Sequence, residues 1–146
     1  MSTRKIETEI VLGGEKDFNR AMTEVNSNLK NLRSDMNAVT AEFDGNEKGV
    51  EALTAKQKVL DDTVAQQAAK VDALRQRYDH LAKTTGENSA ATDKARQAMN
   101  AAIVAQQKAA KAARENQQAL DAAAKAANTY TPVTQRAALA AFCWAT

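Results

Sequence analysis

Six aromatic side chains, one proline, one histidine and one cysteine are all that 146 residues contain of those types, alongside only five glycines. A lone cysteine, Cys143, excludes an internal disulfide and a multi-cysteine zinc site. The aromatics are Phe18, Phe43, Tyr78, Tyr130, Phe142 and Trp144, too few for a globule with a thick aromatic core. The hydrophobic fraction of 44% is inflated by alanine, which buries little area per residue. No apolar run approaches the roughly 18 residues of a membrane span. Arg4-Lys5 is followed by Glu7 and Glu9, where a signal peptide would place its apolar stretch. Net charge is only +2, too balanced to point to nucleic acid. The balance shifts along the chain: residues 1–62 hold nine basic and twelve acidic side chains, and 63–146 hold eleven and six. That asymmetry suits mild charge complementarity between parts or copies of the chain. The expectation is a soluble protein from a reducing compartment, built from long helices that bury a narrow seam.

Periodicity divides the chain. Ile6, Thr8, Ile10 and Leu12 alternate with Lys5, Glu7, Glu9 and Val11, a period of two that Gly13-Gly14 ends. This is either a short strand, which must pair outside the chain's own helices, or a frayed terminal arm. From Phe18 the period becomes helical. Phe18, Met22, Val25, Leu29, Leu32, Met36, Val39 and Phe43 follow at alternating gaps of four and three. Without a change of phase the count continues through Asn46, Val50, Leu53, Gln57, Leu60, Val64, Gln67, Val71, Leu74, Tyr78 and Leu81. Sixteen of these nineteen positions are apolar, a sustained coiled-coil signal. Run straight, the seam would span roughly 96 Å at ~1.5 Å per residue.

Asp44-Gly45-Asn46-Glu47-Lys48-Gly49 concentrates helix breakers in the middle of the seam. Folding back there gives layers Val39–Val50, Met36–Leu53, Leu29–Leu60 and Val25–Val64, and buries the seam without a partner. That hairpin is favoured, while the unbroken phase also allows a continuous helix paired with a second copy. Gly86 suits the residue after a helix end, and Asn88 or Ser89 the cap of the next helix. Thirteen of the twenty-seven residues 101–127 are alanine, giving a helix that forms readily and packs weakly or at close backbone approach. Thr129-Tyr130-Thr131-Pro132 is expected to stop it. The expected class is all-α: an elongated helical hairpin or coiled coil with a short N-terminal strand or arm and a third, alanine-rich helix. Its parts are the strand or arm at 1–14, coiled-coil helices at about 15–44 and 48–84, the alanine-rich helix at 87–128 and an atypical tail at 129–146.

No catalytic, cofactor-binding or metal-binding set emerges. His80 reads as a solvated flank residue beside Leu81, and pairing it with Cys143 would leave no third group to orient the ring. Asp61 and Asp62 lie about 100° apart on a helix and share no proton-transfer site. Gly13-Gly14 lacks the spacing and lysine of a phosphate loop. Lys108, Lys111, Arg114 and Lys125 lack interleaved aromatics and read as a solvated face. Asn46, Gln57 and Gln67 either set the register of the seam or sit in a loop and in water.

Lys5 to Glu15, then Phe18, Ala21, Val25-Asn26 and Leu29, resemble the N-terminal segment of tape measure proteins of long-tailed bacteriophages and prophages. Leu32, Ser34, Met36, Ala41-Glu42-Phe43 and Val50-Glu51-Ala52-Leu53-Thr54-Ala55-Lys56 continue the likeness, which covers about residues 3–125 and fades through the alanine-rich helix. The resemblance implies a structural rod in the lumen of the growing tail tube, with the tail tube protein and a tail assembly chaperone as partners and self-association through the coiled coil. It implies the bacterial host cytoplasm during assembly and the virion tail lumen afterwards; from charge balance and the short apolar runs, no nucleic-acid or membrane role is expected of this segment. Family members are usually several times longer, so a truncated, frame-shifted or split gene product, or an N-terminal fragment, is expected. The rivals are a stand-alone coiled-coil adaptor or dimerisation module and, lacking convergent polar residues, a small enzyme.

Overall fold

The computed structural model describes residues 14–145, with side chains described from Gly14 to Ala127. The expected strand at 4–12 lies outside the described residues, and the Phe142-Cys143-Trp144 tail and Tyr130 lie outside the described side chains. The described chain is all-α, three helices with no strand among the described residues.

Helix α1 spans Glu15–Glu42, with Glu15 and Asp17 in its first turn, where acidic groups complement the helix dipole. It ends as the Phe43 amide donates to the Val39 carbonyl at 3.1 Å. The following turn is held by short-range bonds, Asp44 to Ala41, Asn46 to Phe43 and Gly49 to Asn46. Gly45 takes φ +87°, a conformation that side chains with a Cβ disfavour. Its N–H donates to the Glu47 carboxylate at 3.0 Å. That bond, first, and the charges of Lys56 and Lys48 hold the Glu47 carboxyl below its ordinary range.

Helix α2 spans Val50–Thr85 and runs antiparallel to α1: Glu15 pairs with Arg77, and Asn28 with Gln66. The midpoints of those two pairs are residues 46 and 47, whereas the layers expected from the seam are centred between residues 44 and 45. The register therefore differs from the expected one by about one helical turn in pairing. The cause is the turn itself, since α1 stays helical to Glu42 and α2 begins only at Val50.

At the far end of α2, Gly86 takes φ +92° and Ser89 caps the next helix, its hydroxyl accepting the Thr92 N–H at 3.1 Å. Thr92 is fully buried and gives its own hydroxyl proton to the Gly86 carbonyl at 2.8 Å. Its burial thus leaves no orphaned polar group.

Helix α3 spans Ala90–Ala145, so the expected stop at Thr129-Tyr130-Thr131-Pro132 does not occur. Proline removes one N–H and costs about 3 kcal/mol inside a helix. The alanine-rich stretches on both sides offset that cost by their propensity, because alanine loses no side-chain entropy on becoming helical. From its level with Leu53 and Gln57 at Asn116, α3 continues about eight turns to Ala145, past the start of α2.

The architecture is a layer with α2 in the middle. Both α1 and α3 pack along it, and their backbones do not approach each other. One apolar cluster joins all three near the α1 start: Phe18, Val71, Ala73, Leu74 and Ala102, with Met22, Met99 and Ile103 against it.

Candidate interaction surfaces of the central helix

Among the described residues no cleft gathers convergent reactive groups, and the two faces of α2 are the candidate functional surfaces. The large apolar seam residues divide by burial. Phe18, Val25, Leu53, Val71 and Leu74 are buried. Met22, Leu29, Leu32, Met36, Val39, Phe43, Leu60, Val64, Tyr78 and Leu81 are half-buried. Val50, the first residue of α2, stays 38% exposed beside the turn. Beyond the joint cluster at its start, the α1 half of the seam is thus covered by α2 alone.

Several α2 seam positions face α3. Asn116 donates through its amide to the Leu53 carbonyl and to Gln57 Oε1, both at 2.9 Å. Gln57 in turn donates to Asp61 at 2.9 Å, so a buried seam carbonyl, a seam amide and a surface carboxylate form one chain. Arg96 lies over the Tyr78 ring at 5.7 Å and reaches Asp93 at 3.0 Å. The Tyr78 hydroxyl, ahead of Asp93, raises the Arg96 guanidinium above its ordinary value.

The α3 side of this contact carries its own heptad. Thr92, Ala95, Met99, Ala102, Gln106, Ala109, Ala113, Asn116, Leu120 and Ala123 follow at alternating gaps of three and four, and none is exposed. Ala52 and Ala73 on α2 are likewise buried. Small side chains at such spacing let two backbones approach closely, which makes this the more extensive of the two interfaces. A search for large apolar residues passes over this stripe, and counting alanine as apolar does not single it out, because Ala91, Ala98, Ala105, Ala112 and Ala119 continue the same spacing on a neighbouring face that is partly exposed.

The α1–α2 face is held differently. Arg77 spans it, paired with Glu15 at 2.7 Å and lying over the Phe18 ring at 4.6 Å. Asn28 donates to Gln66 at 3.2 Å. Of the polar seam residues, Asn46 sits exposed in the turn and Gln57 is tied to α3. Gln67 has its Oε1 buried without a hydrogen-bond partner.

The remaining singled-out residues stay apart. His80 is exposed at the edge of a shallow groove with Gly14, Glu15, Phe18, Gln76, Arg77 and Leu81. Cys143 lies outside the described side chains. Asp61 and Asp62 are both exposed, as are Lys108, Lys111, Arg114 and Lys125, with Lys111 at 3.8 Å from Glu115. Among the described residues no three His, Cys, Asp or Glu side chains group to hold a metal ion, and no helix is long and apolar enough to cross a membrane. Compared with protein families, curated proteins and solved structures, the chain has no match.

Proposed function

We propose that this chain is the N-terminal part of a phage tail tape measure protein, a structural helical rod that templates tail tube length and assembly. In this reading α1 and α2 form an antiparallel coiled-coil hairpin, α3 is the start of the long helical rod, and residues 4–12 form a strand that pairs with a tail component. The observation that supports it is the resemblance across residues 3–125, and above all where two of its more specific segments fall, the third, the opening strand, lying outside the described residues. Ala41-Glu42-Phe43 closes α1 and Val50-Glu51-Ala52-Leu53-Thr54-Ala55-Lys56 opens α2, so both flank one turn at one end of the layer. Leu53 within that end is also the residue whose carbonyl Asn116 of α3 holds. A long helix leaving the end where two of these segments meet suits a rod whose shaft is measured.

The partners are the tail tube protein and the tail assembly chaperone, with self-association through the seam. The setting is the bacterial host cytoplasm during assembly and the tail lumen in the virion. The test is co-expression of the full chain with a tail tube protein and a tail assembly chaperone of a long-tailed phage. Co-purification in an elongated complex is expected. A chain that stays helical by circular dichroism yet binds neither partner overturns the reading in favour of a free-standing coiled-coil adaptor.

A further inference from the structure

The turn between α1 and α2 keeps a property that a turn does not need. Phe43 and Val50 lie one heptad apart, with Asn46 on the seam between them, so the phase of residues 18–42 continues unchanged into α2. A connecting turn places no demand on heptad phase; a continuous helix does. The turn is also built to be given up. Its hydrogen bonds join residues at most four apart, and its one demanding conformation is that of Gly45, a residue equally free to become helical. Releasing α1 breaks its packing along α2 and the side-chain contacts of Phe18 and Met22 at the joint cluster, since the backbones of α1 and α3 do not approach each other.

The pairs across that contact are symmetric about the turn. Glu15–Arg77 and Asn28–Gln66 are centred on residues 46 and 47. Pairs with that symmetry form equally well within one chain or between two antiparallel copies related by a two-fold axis at Asn46. We propose that two copies of this chain exchange α1: residues 43–49 become helical, each chain presents one helix over residues 15–85, and each α1 packs on α2 of the other copy. Every α1–α2 contact survives the exchange, which is why such swapping is a low-cost route to a dimer. Two features that are idle in the folded-back form then acquire a role. Val50, with Val104 one of two large apolar residues left exposed among the described residues, comes opposite Phe43 of the partner subunit. Asn46, exposed in the turn, meets its own counterpart at the axis, where one polar seam residue holds an antiparallel pair in register. The exchange concerns two copies of the chain alone and stands or falls independently of any tail partner.

The experiment uses the full chain with Cys143→Ser to remove the native thiol. Gly45→Ala strains the turn at φ +87° and favours the helix. It should lower the dimer dissociation constant about tenfold per hinge, hence about a hundredfold per dimer, in sedimentation velocity. Inserting Gly-Ser after Glu47 lengthens the turn but rotates the two halves of a continuous helix by about 200°, and should abolish the dimer while the monomer stays helical. The pair Asn28→Cys with Gln66→Cys reports on the exchange directly, with or without the Gly45 change. Oxidised at rising concentration, it should pass from a link within one chain to a covalent dimer. A helical chain whose Gly45→Ala form stays monomeric up to millimolar concentration overturns the proposal. So does a dimer in which the 28–66 link never leaves one chain, since that dimer joins faces without exchanging α1.

Discussion

The two faces of α2 are covered by opposite means. Towards α1 the contact is made by large side chains at heptad spacing, yet of the eight seam residues from Phe18 to Phe43 only Phe18 and Val25 are buried. Towards α3 it is made largely by small side chains, and there burial is deepest: Thr92 is fully buried, and Ala95 and Ala102 nearly so. Large side chains hold helices apart and leave their own flanks in water unless a further helix closes the groove. Small ones admit a close approach, so less apolar area per residue is covered more completely. The amount of apolar side chain on a helix is therefore a poor guide to how firmly that helix is held.

The sharpest way to break this comparison is a residue common to all three helices set against one that serves α1 alone. Leu74→Ala, in the joint cluster, should cost about 3 kcal/mol in urea denaturation, and Leu32→Ala, half-buried, about 1 kcal/mol. Equal losses would mean that the α1 face is as well covered as the cluster. Next, Ala102→Leu should cost about 2 kcal/mol by forcing α3 away from α2, whereas Val104→Ala, at a side chain 49% exposed, should change stability by less than about 0.5 kcal/mol. An Ala102→Leu chain that melts unchanged would show that the backbones are not in close approach.

The polar ties differ by a smaller amount. Asn116→Ala removes two bonds at 2.9 Å and leaves the Leu53 carbonyl without its side-chain donor, so about 1–2 kcal/mol should be lost. Asn28→Ala removes one longer bond and should cost about 0.5 kcal/mol in the same measurement. The smallest effect lies in the turn. Because the Glu47 carboxyl is lowered, its bond to the Gly45 N–H persists below the ordinary glutamate range and is lost as pH falls through that lowered value. An amide titration followed by NMR should show Gly45 moving at that acid midpoint, and Glu47→Gln should abolish the shift with the melting temperature unchanged. A Gly45 amide that titrates at the ordinary glutamate midpoint would contradict the bond.

Much of this was legible in local chemistry. Gly86 and Ser89 mark the α2–α3 turn as their residue types suggest, because a positive φ and an N-cap are met within a few residues. The apolar spacing of residues 18–81 shows that α1 and α2 each have a buried face. What escaped was the stripe from Thr92 to Ala123, since alanine gives no amphipathic contrast, and Asn116, an ordinary polar residue until α2 lies beside it. Pro132 misled in the other direction: a strong local stop is overridden where long stretches of good helix formers stand on both sides.

By itself, then, the sequence determined that this protein is helical, where its two turns fall and which residues of α1 and α2 are available for burial, because backbone propensity, caps and side-chain period act over a few residues. Only the tertiary structure decided which neighbour covers which face of α2, and in what register. Sliding one helix along another by about a turn still sets apolar residues opposite apolar residues, so periodicity alone cannot choose between registers. The length of the 43–49 turn, the Glu15–Arg77 and Asn28–Gln66 pairs and the hold of Asn116 on Leu53 make that choice, and all of them exist only once distant segments meet.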